Sequence, residues 1–345
     1  MRNDTRKQFN SYLAHIAQLS GVSSAITKFA VEPSVQQKLE TKLQQDSGFL
    51  SKINVIGVDE LKGEKLGLGI AGTIASRTNT SGNGKRETTD PTSLSNDKFE
   101  CVQVNYDTHL RYAKLDAWAK FKDFQPRVSG AIVERCALDR IMIGWNGKTA
   151  AENTDRAANP LLQDVAIGWL QSIRLNAAQR VMNGVTYGIV KQGNEELSGE
   201  YKTLDGLVYD AAQTLIDVIH QDDPELVAIV GRGLMHDKLF PIVDNNDAPT
   251  EKLASDIVVS QRRLGGLQAV MVPYFPAGTV LITRLDNLSI YYQNGGRRRH
   301  VKDNPERDRI ETFESSNDAW VVEDFGLVAL VEGITEFEAP APGQG

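Results

Sequence analysis

Residues 76–97 read SRTNTSGNGKRETTDPTSLSND, a run of 22 residues with one leucine and no other large apolar side chain. Such a run has nothing to bury. It also exceeds the roughly 12–15 residues beyond which a connection without structure is uncommon in a compact domain. Its flanks differ in character. GEKLGLGIAGTIA precedes it, and KFECVQVNYDTHLRYAKL follows it with Phe99, Cys101, Val102 and Val104 in partial alternation. Two strand-like arms joined by an end without a core predict a long hairpin whose tip projects from the body.

The rest of the chain supplies the body. At 345 residues it is long enough for more than one core, and two lobes are expected. The formal net charge is −7 and the pI is near 5.4. That balance argues against a surface given over to gripping nucleic acid or anionic membrane. No apolar run approaches the ~18 residues of a membrane span. The first residues, MRNDTRKQFNSYLAHIAQL, are charged and periodic without a signal-peptide core. The expected compartment is therefore the cytoplasm in which the chain is made. Cys101 and Cys136 form neither a CxxC pair nor a zinc-like spacing, and Cys136 reads as a small buried residue.

Helical periodicity is clear in four places. Phe9, Tyr12, Leu13, Ile16 and Leu19 predict an amphipathic helix over 3–19, and Pro33 opens a second with Val35, Leu39 and Leu43 on one side. The strongest signal spans 123–146 and stops at Gly147; at 1.5 Å per residue it is a spine roughly 35 Å long. After Asn159-Pro160, a further helix is expected through Leu162, Val165, Ala166, Trp169 and Ile173. The glycine-rich stretch 184–203 reads as a boundary. Beyond it lie a helix over about 204–220, the strand ELVAIVG, a helix around 234–242, and the strand-like segments DIVVS, LQAVMV, GTVLITRL, NLSIYYQ and AWVVEDFGLVALVEGI.

Three stretches imitate nucleotide-binding loops. GLGIAG (67–72) matches G-x-G-x-x-G but lacks an apolar strand before it and a helix after it, so a glycine-rich strand is the simpler reading. GWNGKT (144–149) lacks the first glycine of a phosphate loop and follows a helix, which suits a helix end. VGRGL (230–234) does follow a strand and precede a helix, the arrangement of an anion-binding helix start, but His236 stands where a third glycine belongs. The five histidines are scattered, and HQDDPE (220–225) reads as a solvated turn more readily than as a cation site. No catalytic constellation, cofactor site or metal-ligand set can be assembled.

The most basic segment, YYQNGGRRRHVKDNP, carries Arg297, Arg298 and Arg299. Over 297–309 there are six Lys/Arg and three Asp/Glu, so the charge is mixed. Tyr291 and Tyr292 precede the arginines without interleaving, unlike a single-strand stacking platform. Three readings remain: a solvated hairpin end, a surface that pairs with another protein chain and, less favoured, a local positive spot toward nucleic acid.

Several blocks are similar to the P2-type family of tailed-bacteriophage major capsid proteins. They are TRKQFNSYL, VEPSVQQKLETKLQQDSGFLSKINV, GEKLGLGIAGTIASRT, NPLLQDVAIGWLQSIR, VPYFPAGTVLITRLDNLSIYYQNGGRRR and VVEDFGLVALVE, spread over residues 2–334. The resemblance implies an α+β chain with the HK97-type capsid fold. Its parts would be an N-terminal arm at 1–33, removable on maturation, and first strands at 34–60. An extended loop at 61–115 and a peripheral domain at 116–203 with the spine at 123–146 would follow. An axial α/β domain at 204–309, return strands at 310–334 and a tail at 335–345 would complete it. It implies hexamers and pentamers of an icosahedral shell around double-stranded DNA, with no enzymatic activity. The partners implied are a separate scaffolding protein, a maturation protease, a portal protein and DNA in weak, non-specific contact. The arm would be cut between residues 21 and 34, around Lys28, Phe29, Ala30, Val31 and Glu32. Candidate contacts between subunits are Lys85, Arg86 and Glu87 at the loop tip, together with Arg297, Arg298 and Arg299 in the axial domain. The virion is the expected location, with assembly in the host cytoplasm. The competing expectations are a shell protein of a non-viral cargo compartment and an α/β enzyme using VGRGL as an anion site.

Overall fold

The structure, a computed structural model, describes residues 1–64, 67–70, 75–81, 85–88, 92–95, 98–118, 124–192, 195–235 and 263–338. Six helices are named here: α1 (Asn3–Leu19), α2 (Pro33–Asp46), α3 (Tyr112–Trp118), α4 (Phe124–Asn146), α5 (Trp169–Asn176) and α6 (Leu204–Leu215). Together with two main sheets they make an α+β fold. Among the described residues no helix is long and apolar enough to cross a membrane.

The first sheet is built around one long strand, Arg309–Val322. Arg298–Asn304 and Leu288–Gln293 pair antiparallel with it on one side, and Val102–Asn105 and Thr108–Arg111 on the other. Asn54–Val58 extends the sheet in parallel beside Leu288–Gln293, and Phe29–Ala30 closes the far edge on Arg298–Asn304. The second sheet has the strand order Arg263–Leu264, Leu267–Val270, Val227–Val230, Val280–Thr283, Ala329–Glu332, Val181–Asn183. Val227–Val230 and Val280–Thr283 are buried throughout, as unbroken apolar runs on a sheet covered on both faces must be. One face packs on Trp145, Trp169 and Phe49 in a core shared with α4 and α5, and the other on Leu207, Val208 and Ala211 of α6. Thr203 caps α6 by accepting from the Gly206 amide at 3.1 Å.

The chain crosses between the sheets at 284–287 and again at 323–328, so the expected 204–309 unit is divided. Leu288–Gln293 and Arg298–Asn304 lie in the spine-side sheet, and the last apolar signal splits between Arg309–Val322 and Ala329–Glu332 in different sheets. Asn287 ties the two crossings. Its side-chain amide donates to the Asp324 carbonyl at 2.8 Å and its oxygen accepts from the Asp324 amide at 2.8 Å.

Two helices are shorter than their periodicity predicts. The helix expected from Pro160 begins only at Trp169. Asp164 accepts from the Asp155 amide at 2.7 Å and from Asn159 at 3.1 Å, which folds 155–164 into turns, and Leu162 adopts a positive φ of 59°. α6 stops at Leu215 because the Asp217 amide is drawn to the Gly326 carbonyl at 3.0 Å. Residues 236–262, with most of the helix expected at 234–242 and the DIVVS segment, lie outside the described residues.

The hairpin has a simple register. Lys62 pairs with Glu100 and Glu64 with Lys98; Gly67 pairs with Ser95 and Ile70 with Thr92. Paired residue numbers sum to 162 in all four cases, so the two ladders share one antiparallel register. The expected loop range of 61–115 is too wide at its C-terminal side. Beyond Glu100 the chain turns into the body, where Cys101, Val104, Tyr106 and Leu115 are buried.

Candidate functional site

The three arginines are split by the pleat. Successive residues on a strand face opposite ways. Arg298 is exposed and donates to the Gly295 carbonyl at 2.6 Å. Arg297 points inward at 2 % exposure, and Arg299 is partly covered by Tyr12 of α1, whose hydroxyl accepts from it at 3.3 Å. Arg297 is therefore no surface contact. The expectation that all three residues are available to a neighbour or to DNA fails there, because its guanidinium is committed inside the subunit.

That interior is a five-residue ionic network joining α2, α4 and the first sheet. Arg297 pairs with Glu314 at 2.7 Å and with Glu40 of α2 at 2.9 Å. Arg140 of α4 also pairs with Glu40, and with Asp318 at 3.1 Å. Tyr106 donates to Asp318 at 3.0 Å, and Ser316 donates to the same carboxylate. Asp318 is 0 % and Arg140 2 % exposed. Burial opposes the charge of Arg140, but Asp318 and Glu40 outweigh it and hold the guanidinium well above its ordinary pKa. Burial likewise opposes ionisation of Glu314, and the Arg297 charge overrides it, leaving the carboxyl below the usual range. Two cations against three carboxylates leave one negative charge, with Arg299 at the margin, 3.9 Å from Glu314.

The same strand carries the N-terminal segment. Phe29 and Ala30 pair with Arg299 and Arg298, and the Val31 amide donates to the Arg297 carbonyl at 3.0 Å. The structure thus brings the candidate cleavage region and the arginines onto adjacent strands. Within that region Phe29 and Val31 are buried, while Lys28, Ala30 and Glu32 are exposed. α1 docks further along. Phe9 packs on Leu115, Val301 and Ile310, and Arg6 pairs with Asp303 at 2.5 Å. Tyr112 donates to Asp303, and the Arg2 amide donates to Asp116 at 2.9 Å. Burial raises the Asp303 carboxyl, but Tyr112 and Arg6 together pull it below its ordinary value. Lys85, Arg86 and Glu87 are exposed.

The loop-like motifs resolve into structure. Gly67–Ile70 is a strand of the ribbon. GWNGKT ends α4, where a Cβ on Gly144 would lie 2.2 Å from the Trp169 ring. The Gly231 amide of VGRGL donates to the Thr279 carbonyl at 3.0 Å. Two of the three acids of HQDDPE are met by the chain's own Arg284, at 3.2 Å from Asp223 and 2.8 Å from Glu225. Among the described residues no group of three or more His, Cys, Asp or Glu side chains could hold a metal.

Comparison with known proteins gives the class. The family described as "Phage major capsid protein, P2 family" matches residues 8–334. The capsid protein of Escherichia phage P2 is 48% identical over 99% of this chain and 98% of its own length. The major capsid protein of Serratia phage KSP20 is 43% identical over 99% of this chain and 100% of its own. A chain of the satellite phage P4 procapsid, solved including the size determination (Sid) protein, superposes with a TM-score of 0.79 at 46% identity, covering 98% of this chain and 99% of that one. A two-sheet body with antiparallel ladders over 62–70 and 92–100, similar over its whole length to such proteins, is a structural subunit of a phage shell rather than an enzyme. The chain belongs to the P2 family of phage major capsid proteins.

Proposed function

We propose that the subunit forms the hexamers and pentamers of an icosahedral shell enclosing double-stranded DNA. The sheet packed on α4 serves as the peripheral domain and the six-stranded sheet with α6 as the axial domain of an HK97-type subunit. The observation that carries this reading is the ribbon of constant register, whose exposed residues 75–81 and 85–88 leave it available to an adjacent subunit. Lys85, Arg86, Glu87 and Arg298 are the candidate contacts on exposed surface. DNA contact is weak and non-specific, as a net charge of −7 favours.

A scaffolding protein, a maturation protease and a portal protein complete assembly in the host cytoplasm, and the arm is cut between residues 21 and 34. A cut within residues 29–31 requires them to leave the sheet edge, because two of the three are buried and all three are held on the arginine strand. Negative-stain microscopy of particles co-expressed with the cognate scaffold and protease tests the whole. Closed shells are expected from the full chain, and capsomers without shells once the ribbon tip is deleted. Shells of ordinary yield from the tip-deleted chain would refute the role of the ribbon. An intact Met1 or Arg2 terminus in DNA-filled particles, read by mass spectrometry, would refute the cut.

A further inference from the structure

α3 joins the strand Thr108–Arg111 to the chain that enters α4. Its first residue is fixed to the body. The Tyr112 amide donates to the Asp308 carbonyl at 2.9 Å and its hydroxyl donates to Asp303, which lie just before one strand of the first sheet and within another. Beyond Tyr112 the holds run to α1. Among the described side chains of α3 only Leu115 is buried, in one cluster with Phe9 of α1, Val301 and Ile310. Asp116 accepts from the Arg2 amide at 2.9 Å, and Thr5, itself 1 % exposed, hydrogen-bonds the same carboxylate. Ala113, Lys114 and Ala117 are exposed.

The dependence runs both ways. Arg2 stands at the N-cap of α1 and makes no side-chain cap bond, so the first amides of that helix lack a local acceptor. Asp116 supplies one from another helix, and a carboxylate there also suits the helix dipole. In return α1 covers Leu115. α3 is seven residues long, well short of the roughly 12–15 below which a helix is marginal in water without outside contacts. Its shape is therefore lent to it by what it touches. Without α1, Leu115 loses Phe9, Asp116 loses both donors, and only the Tyr112 end remains tied by hydrogen bonds to the sheet.

We infer that α1 is a strap that keeps residues 113–118 helical, and that taking the arm away lets this segment unwind. The segment spans about 9 Å as a helix and about 20 Å when extended, so its release adds roughly 11 Å of reach between the first sheet and the chain entering the spine. That consequence rests on the removal of the arm proposed above. The coupling of the two helices belongs to the uncut subunit and can stand or fall without it.

The test is amide exchange on the unassembled full chain, read by mass spectrometry over α1, α3 and α6. In the unaltered chain at rising urea below the unfolding transition, α1 and α3 should open with one free energy and one urea dependence, as a single cooperative unit does. Unequal values, in either direction, would overturn the strap. Phe9→Ala removes the arm's part of the cluster; it should lower protection in α1 and α3 together by roughly tenfold or more and leave α6 at its parental value. Parental protection in α3, or an equal fall in α6, would overturn it as well, the latter because the loss would be general. An intact arm in DNA-filled particles would remove the cut and leave the coupling standing.

Discussion

Replacing Arg140 with methionine keeps most of the side-chain volume and removes the charge at the centre of the network. Asp318, with no exposed surface, keeps the Tyr106 and Ser316 hydroxyls but loses its cation, and Glu40 keeps only Arg297. Breaking a buried pair by removing one partner destabilises by about 3–5 kcal/mol, since the remaining charge is left in a poor solvent. At about 2.1 cal/mol/K per residue, 345 residues give an unfolding entropy of ~0.7 kcal/mol/K, so a loss of ~4 kcal/mol lowers Tm by about 5–6 °C. Calorimetry on the unassembled subunit measures this without lattice contacts. A double-mutant cycle with Asp318→Asn isolates the cause. Asp318→Asn should destabilise the parent chain yet partly rescue Arg140→Met, because it removes the carboxylate left uncompensated. A drop below ~1 °C for Arg140→Met, or simple addition of the two losses, would show that Arg140 acts by packing alone.

The split of the arginine run gives a contrast: Arg297→Ala should lower Tm by several degrees, whereas Arg298→Ala should leave it within about 1 °C, in keeping with ordinary surface substitutions. Gly144→Ala places a methyl group 2.2 Å from the Trp169 ring, and an overpacking loss of about 1–3 kcal/mol is expected in urea unfolding followed by tryptophan fluorescence. The Asp303 pKa is lowered in the folded chain, so its contribution to α1 docking is present above the ordinary carboxyl range and is lost as pH falls through the folded value. The exchange protection factors of α1 amides should accordingly fall at acid pH, and in Asp303→Asn they should already be low at neutral pH. Burial is the main cause that pushes Cys136 up to about 11 and Cys101 up to about 12, with Glu314 and Asp318 adding to it. A thiol reagent at pH 8 should therefore find neither cysteine in the native subunit and both after unfolding.

Much of the fold was legible because its signals are local. The bounds of α1 and the start of α2 follow from periodicity and Pro33, and α4 runs to the expected Asn146 before Gly147. The ribbon could be read because a run without apolar residues admits few other structures. What failed was non-local. No periodicity announces that an apolar stretch such as 319–334 will change sheets midway, since that is settled by Asn287 bonding to Asp324 across the crossing. The pre-Trp169 helix failed for a similar reason, as Asp164 competes for backbone donors nine residues away. The ionic network did leave a trace. Arg140 sits three or four residues from Cys136, Ala137 and Ile143, all buried on the helix, and Glu314, Ser316 and Asp318 occupy alternate inward positions of one strand. Charged residues at core-facing positions on two elements are a reason to look for their pairing.

A row of like charges in a strand cannot act as one surface, because the pleat sends alternate side chains to opposite faces. Applied to residues 297–299, this turns an apparent basic patch into one exposed cation and two inward-facing ones. The inward pair needs carboxylates, and the nearest even-numbered positions on the partner strand supply Glu314 while α2 supplies Glu40. Glu40 lies only eight residues beyond Glu32, so the network fixes the chain just after the candidate cut region, while Phe29 and Ala30 inside that region hold only the sheet edge. The arm before the cut is attached by two apolar clusters, a two-residue ladder and the Asp303 group; the chain after it is attached by buried charge pairs. Severing the connection between them leaves a segment held by apolar packing and partly exposed polar contacts on one side, and a helix anchored by buried charge on the other. The proposed removal of the arm without disturbing the shell calls for that asymmetry.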